Sequence, residues 1–157
     1  MASRKLRFEA LYPYAPAQVW EAISDSAAIS DWLMPNDFRP VVGHRFNFKT
    51  KPAPGFDGTV HCEVIALEPL QRLAYSWKGG GIDTVVTFTL SAEGKGTRLV
   101  MEQDGFTGLR GLMVSKMLSG GWRRMIEQRL PAAAGRVVGG RYSRAAPGTP
   151  DAACHTA

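Results

Sequence analysis

Residues 58–103 read GTVHCEVIALEPLQRLAYSWKGGGIDTVVTFTLSAEGKGTRLVMEQ, and this stretch decides the fold. It contains four runs in which apolar and polar residues alternate, the pattern of β-strands that bury one face. Short turn sequences separate the runs: Glu68-Pro69, Gly79-Gly80-Gly81 and Glu93-Gly94-Lys95-Gly96. Turns of this length join neighbouring antiparallel strands, so the stretch predicts an antiparallel meander.

The alternation assigns each side chain of the meander to one of two faces. Residues such as His61, Arg72 and Thr89 share the polar face, which is predicted to meet water. The apolar face needs a cover, and helices are expected to supply it. The residues predicted for this covered face are Val60, Cys62, Val64, Leu73, Tyr75, Trp77, Val86, Phe88, Leu90, Leu99 and Met101.

The segment before the meander predicts two further strands and two short helices. Alternating runs cover residues 4–12 and 44–49, which brings the predicted sheet to six strands. Between these runs, Pro16 lies in the first turn of one helix, where its missing N–H does no harm. A second short helix is expected to end before Pro35, because a proline disfavours helical geometry in the residue that precedes it.

The cover for the sheet is predicted to be a long helix over about residues 109–138. Pro131 lacks the backbone N–H that would bond to the carbonyl of Glu127, so we expect a kink there. Gly120-Gly121 is a second place where the helix can be interrupted. The apolar residues assigned to one face of this helix are Met113, Met117, Trp122, Ile126 and Leu130.

Length and composition favour one folded domain. The chain has 157 residues and a formal net charge of +5, with basic and acidic residues interleaved and no nucleic-acid recognition motif. The domain is predicted to span residues 1–138. Residues 139–157 lack apolar periodicity, and we expect them to form a flexible tail that contributes little to the domain.

No segment approaches the ~18 apolar residues of a membrane span, and the first thirty residues lack a signal-peptide pattern, so we expect a cytoplasmic protein. Cys62 and Cys154 are expected to be free thiols, since two isolated cysteines form no disulfide framework. His44, His61 and His155 fall on different faces and in the tail, so no metal site and no cofactor is predicted.

Four local patterns in this order identify a resemblance: Pro16-Ala-Gln-Val-Trp20-Glu-Ala-Ile23, then Trp32, then Val85–Leu90 leading to Gly96-Thr97-Arg98-Leu99, and Gly121-Trp122. Together they resemble the START-like (SRPBCC, Bet v 1-like) superfamily, and within it the homologues of the ATPase activator of the heat-shock protein Hsp90. The resemblance covers about residues 4–138. It implies an α+β helix-grip fold, in which a curved six-stranded antiparallel sheet wraps around a long C-terminal helix and two short helices follow strand one. It also implies an elongated cavity that many relatives use for lipids, polyketides or other apolar molecules.

The inward-facing side chains predicted for this cavity are aromatic rings and methionine thioethers. Such a lining suits an apolar ligand, because methionine adapts to guests of different shape. The same side chains can also pack together as an ordinary core, and the sequence leaves both interpretations open. His44 and Gln103 are the polar groups predicted in the cavity, where they orient a ligand or bond to nearby backbone. The candidate ligand-binding residues are Phe46, Phe48, Tyr75, Trp77, Phe88, Met101, Met113, Met117 and Trp122.

No nucleophile elbow, phosphate-binding glycine loop or zinc motif occurs, so the sequence leaves open whether the protein is an enzyme. We interpret it as a stand-alone bacterial domain that binds an apolar small molecule, with a lipid, a polyketide and an aromatic compound as the candidate classes. Two alternatives stay open: a protein-interaction module of the Hsp90 ATPase activator type, and a cyclase- or hydrolase-like enzyme using the same cavity. An enclosed apolar pocket favours the ligand and an exposed apolar patch favours a protein partner. Monomer and homodimer are both compatible with the sequence.

Overall fold

Alternating apolar residues build six strands, in the places that the sequence predicted. Their bounds are Arg4–Tyr12 (β1), Arg45–Lys49 (β2), Thr59–Glu68 (β3), Arg72–Gly79 (β4), Ile82–Glu93 (β5) and Gly96–Phe106 (β6). They form one antiparallel sheet in the order β1-β6-β5-β4-β3-β2. The structure is a computed structural model and describes residues 4–143. The predicted α+β class and six-stranded antiparallel sheet are confirmed.

The two faces of the meander also follow the predicted alternation. Tyr75 pairs with Val86 across β4 and β5, and Phe88 pairs with Met101 across β5 and β6. All four side chains are buried, whereas Thr89 on the opposite face is exposed. The covered face therefore carries the core of the domain.

Two short helices follow β1, as predicted: α1 spans Pro16–Ser24 and α2 spans Ser26–Trp32. The carboxylate of Asp25 caps α2 by accepting a hydrogen bond of 3.0 Å from the backbone N–H of Ala28. The indole N–H of Trp32 donates to the carbonyl of Ala22 at 2.9 Å, which ties the second helix to the first. The two helices thus form one unit over the sheet.

The C-terminal helix is continuous but changes its geometry near its end. It comprises α3 (Gly108–Arg124), a π-helical turn (Met125–Arg129) and α4 (Leu130–Ala134). Gly120-Gly121 does not interrupt it. The π-helical turn ends two residues before Pro131, so the helix widens where a proline without an N–H enters it.

The helix ends at Ala134, earlier than the predicted residue 138, and a small hairpin follows. Its strands are Val137–Val138 (β7) and Arg141–Tyr142 (β8). The Tyr142 hydroxyl donates a hydrogen bond of 2.5 Å to the Asp31 carboxylate. Burial, and then this carboxylate, raise the pKa of Tyr142 to about 12.

We expected the chain after about Gly140 to contribute little, yet Tyr142 packs against the core. For residues 144–157, the flexible tail that contributes little to the domain remains a prediction. These residues, with Cys154 and His155, lie outside those that the structure describes. Across residues 4–143, none of the helices has the combination of length and apolar character needed to cross a bilayer.

Candidate functional site

A cavity of about 460 Å³ lies at one end of the covered face. Its lining comes mainly from the loop between β2 and β3, the hairpin that joins β4 to β5, and α3, with Met34 before β2 and Met125 in the π-helical turn. The volume falls within the range of about 300–1,000 Å³ that is usual for small-molecule sites. The lining residues are Met34, Thr50, Ala53, Pro54, Phe56, Val60, Trp77, Gly79, Gly80, Ile82, Arg110, Met113, Val114, Met117, Leu118 and Met125.

The lining is apolar almost throughout. Aromatic rings come from Phe56 and Trp77, and four of the lining residues are methionines. Among the lining residues described, only Thr50 and Arg110 have polar side chains. Flexible thioethers beside flat rings can adapt to apolar molecules of different shape. The cavity therefore has the chemistry of a site that binds by apolar burial and not by many directed hydrogen bonds.

Two loops form one wall of the cavity, and their sequences explain why they can meet. In the β2–β3 loop, the N–H and carbonyl groups of Ala53 and Phe56 bond to each other at 2.8 and 2.9 Å, which closes a tight turn. In the β4–β5 hairpin, Gly80 has a φ of 63°, a region that glycine enters without strain. A Cβ atom at Gly80 would lie 3.5 Å from the Phe56 ring, so the two loops touch here.

Arg110 joins both loops to the helix. Its Nε donates a hydrogen bond of 2.7 Å to the carbonyl of Gly80, and its Nη2 donates one of 3.2 Å to the carbonyl of Gly55. A Cβ atom at Gly55 would lie only 2.7 Å from Nη2, so any larger residue there would displace the guanidinium. Arg110 is exposed, and these two hydrogen bonds tether its guanidinium to the rim of the cavity.

Three of the predicted ligand-binding residues line the cavity: Trp77, Met113 and Met117. The structure places the other six elsewhere, packed as core. The five aromatic rings among them form a continuous cluster, with centroid distances of 5.3 Å between Phe46 and Tyr75 and 6.2 Å between Phe88 and Trp122. The six that pack as core are Phe46, Phe48, Tyr75, Phe88, Met101 and Trp122.

Helix geometry explains why the methionines and Trp122 separate. Each residue of an α-helix turns by about 100°, so two side chains nine positions apart point about 180° apart. Trp122 follows Met113 by nine positions. The Trp122 side chain is buried, at 2% exposed, whereas Met113 is 55% and Met117 is 72% exposed. The expectation that these residues share one face of the helix is not met. The core-facing side of α3 carries Gly111, Ser115 and Trp122 instead.

The two polar groups predicted in the cavity are both satisfied elsewhere. Gln103 is fully buried; its Oε1 accepts from Trp122 Nε1 at 2.8 Å and its Nε2 donates to Thr84 Oγ1 at 2.9 Å. The Thr84 hydroxyl in turn donates to the carbonyl of Trp77 at 3.0 Å. His44 Nε2 lies 2.9 Å from the carbonyl of Asp37. Both side chains therefore have structural roles.

Two buried ionisable groups lie in the aromatic core beside the cavity. Burial raises the pKa of the Tyr75 hydroxyl well above its usual value and also raises the pKa of the Cys62 thiol. Within residues 4–143, no hydrogen-bond partner of the Tyr75 hydroxyl is found. In the same residues, no three His, Cys, Asp or Glu side chains lie close enough together to hold a metal ion.

Sequence reasoning missed most of the residues that line the cavity. Phe56 directly follows the sequence Lys51-Pro52-Ala53-Pro54-Gly55, whose two prolines and glycine indicate a turn. An aromatic residue directly after a rigid turn was a usable signal. Leu109, Met113 and Met117 recur every four residues, a second apolar row that differs from the row of Gly111, Ser115 and Trp122. No signal in the sequence placed Arg110 between two loops.

Comparison with protein families gives one match over most of the chain. The family described as "Activator of Hsp90 ATPase homolog 1-like protein" matches residues 13–135. A search of curated proteins finds no match. The family match includes both short helices, the strands β2 to β6 and the helix that lines the cavity.

Solved structures with the same fold include several bacterial proteins. Protein MLL2253 of Mesorhizobium loti is 34% identical with a TM-score of 0.77, covering 86% of this chain and 99% of its own. Protein BH1534 of Bacillus halodurans is 26% identical with a TM-score of 0.69, covering 84% of this chain and 98% of its own. DynU16, encoded in the dynemicin biosynthetic locus, is 24% identical with a TM-score of 0.69, and the match covers 88% of this chain and 49% of DynU16. The last likeness shows a shared fold.

Proposed function

The chain belongs to the Activator of Hsp90 ATPase homolog 1-like family, and from this premise we propose that its cavity binds an apolar small molecule of the lipid, polyketide or aromatic class. The observation that carries the proposal is the cavity of about 460 Å³ with its apolar lining. Burying apolar ligand surface there contributes roughly 25 cal/mol per Å² before the costs of association are subtracted. The fold supports the proposal, because it leaves this space between the sheet and the helix.

The lining favours binding over catalysis. General acid–base chemistry needs a carboxylate, imidazole or comparable group within hydrogen-bond reach of the substrate. The lining residues that the structure describes include no carboxylate, imidazole or thiol. The buried Cys62 thiol lies outside the lining, and its raised pKa keeps it protonated. The apolar lining therefore suits ligand binding, and it supplies none of the side chains that acid–base catalysis would need.

The proposal is tested by binding of Nile red, a neutral apolar dye whose fluorescence rises in an apolar environment. Val114→Trp adds an indole inside the cavity, so we expect it to weaken dye binding by about tenfold or more. Leu109→Trp is the matched control, because Leu109 lies on the same helix, is 73% exposed and does not line the cavity. Its dye affinity is expected to stay within about twofold of wild type.

Calorimetry with 1-decanol supplies a second readout. Burial of an apolar chain in the cavity gives a negative heat-capacity change and an affinity that hardly depends on salt. If wild type binds neither Nile red nor decanol, or if Val114→Trp binds both as wild type does, the cavity is not the binding site.

One observation favours a second candidate function, a protein-interaction module. Leu109, Met113 and Met117 form an apolar row along α3, and they are 73%, 55% and 72% exposed. Exposed apolar rows of this kind occur at protein interfaces. The family description names activation of an Hsp90 ATPase, so the test is the ATPase rate of a bacterial Hsp90 with this protein added. Stimulation that Leu109→Asp abolishes, while Nile red binding persists, would favour this function over the ligand.

A further inference from the structure

Resting on the proposed function, we propose that the ligand is an amphiphile with one carboxylate head, and that the Arg110 guanidinium binds this head at the rim of the cavity. The apolar remainder of the ligand would occupy the space between Phe56, Trp77 and Met117. The proposal names the class of ligand and the residue that selects it, neither of which follows from an apolar cavity alone.

Arg110 is a cation without an ion-pair partner among the residues described. None of the ion pairs within residues 4–143 involves Arg110. Arg98 on β6 shows the contrast, because its guanidinium contacts the carboxylates of both Glu9 and Glu93. The acceptors of Arg110 are the neutral carbonyls of Gly80 and Gly55, which hold its position and leave its charge uncompensated.

The Arg110 guanidinium keeps N–H groups that can bind a ligand. The bonds to the two carbonyls use Nε and Nη2, and the N–H groups of Nη1 make no hydrogen bond to the residues described. A planar guanidinium that is already fixed can bind a carboxylate through its remaining donors, with little further loss of side-chain entropy. Arg110 is therefore preorganised to accept an anion next to the apolar cavity.

Arg110 is the only charged residue among the lining residues described. Of the other basic residues on α3, Lys116, Arg123 and Arg124 do not line the cavity, and Arg123 pairs with Glu127 at 3.8 Å. The lining residues described also include no carboxylate, so nothing in the lining repels an anion. A single cation at the rim of an apolar cavity favours a ligand that is negative at one end and apolar over the rest. The single cation at the rim, Arg110, is sufficient to pair with one carboxylate head group.

The test compares two ligands that differ only at the head, sodium decanoate and 1-decanol, as competitors of Nile red at pH 8. Decanoate is ionised at this pH, and decanol is neutral. We expect wild type to prefer decanoate, and Arg110→Gln to lower the ratio of decanoate to decanol affinity by about tenfold. Decanol affinity itself should change little. Added NaCl should weaken decanoate binding and leave decanol binding unchanged.

Arg129→Gln is the matched control for charge and for hydrogen bonding. Arg129 is exposed, its Nη2 donates to the carbonyl of Asp31 at 3.0 Å, and it does not line the cavity. This variant removes the same unit of charge from the protein. The ratio of decanoate to decanol affinity should therefore stay at its wild-type value.

Two results would overturn the inference while the proposed function stands. One is an unchanged affinity ratio in Arg110→Gln, and the other is an equal loss of both ligands, which would make Arg110 only a link between loops. If Arg110→Gln does not fold, wild type decides, because decanoate affinity that is independent of NaCl also overturns it. Failure of wild type to bind Nile red and decanol is a different outcome and removes the proposed function itself.

Discussion

The hydroxyl of Tyr12 donates a hydrogen bond of 2.5 Å to the backbone carbonyl of Ile126. Ile126 lies in the π-helical turn, in which a carbonyl pairs with the N–H five residues later, as the Met125 carbonyl does with the Leu130 N–H. The partner expected for Ile126 in this register is residue 131, a proline without an N–H. Tyr12, at the end of β1, supplies the donor that Pro131 lacks.

Tyr12→Phe should therefore destabilise the protein by about 1–3 kcal/mol, because it leaves a buried carbonyl without its donor. Urea unfolding followed by circular dichroism measures the change. Tyr75→Phe is the matched control. The Tyr75 side chain is also buried, but its hydroxyl has no partner among residues 4–143, so its removal should cost nothing or stabilise the fold.

The role of Pro131 is tested by a double-mutant cycle. Pro131→Ala restores a backbone N–H at the position that can bond to Ile126. The cost of Tyr12→Phe should then be smaller in the Pro131→Ala background than in wild type. Equal costs in the two backgrounds would show that Tyr12 and Pro131 do not share the Ile126 carbonyl.

A second prediction concerns Gln103, whose amide links α3 to the sheet. Gln103→Met keeps a side chain of similar shape but leaves the Trp122 N–H without an acceptor and removes the hydrogen bond that the Thr84 hydroxyl accepts. We expect a loss of about 1–3 kcal/mol in the free energy of unfolding. Gln128→Met, an exposed change in the π-helical turn, should stay within about 0.5 kcal/mol. A Gln103→Met protein as stable as wild type would contradict this role.

Gln103→Met also separates structure from ligand binding. Because both ends of the amide are used within the core, the folded variant should bind Nile red with wild-type affinity. A folded variant that no longer binds the dye would indicate that Gln103 contacts the ligand. This is the other role that the sequence left open for Gln103.

The sheet was predictable because strand residues alternate strictly, so the pattern alone assigns Val60, Tyr75 and Phe88 to the covered face. The helix was harder. Apolar residues occur on two sides of α3, and a list of spacings cannot tell which row meets the sheet. Gly111 shows which row it is, since a Cβ there would lie 2.8 Å from the backbone of Phe106. The cavity depends on contacts between segments distant in sequence, such as the hydrogen bonds of Arg110 to Gly80 and Gly55, which no local pattern contains.

The pH dependence of stability gives a third prediction. The pKa of Tyr142 is raised to about 12 in the folded protein, from about 10 when unfolded. Folding thus favours the neutral phenol. The stability that the neutral Tyr142 phenol adds to the folded protein is fully present below about pH 10. The contribution is lost as the pH rises from about 10 to about 12. Tyr142→Phe should flatten the fall in stability over this interval, measured by urea unfolding at pH 8, 10 and 11. An identical fall in both proteins would show that Tyr142 ionises freely.

The last prediction divides the C-terminal residues by comparing two truncations. Removal of residues 144–157 should leave the melting temperature within about 1 °C, because that sequence has no apolar periodicity. Removal of residues 141–157 also deletes β8 and the bond from Tyr142 to Asp31. A hydrogen bond to a charged group contributes about 1.5–3 kcal/mol, less where water competes, so we expect the longer deletion to lower the melting temperature by roughly 2–6 °C. Tyr142→Phe in the full chain should reproduce part of this decrease. Equal melting temperatures for the two truncations would mean that the hairpin does not stabilise the domain.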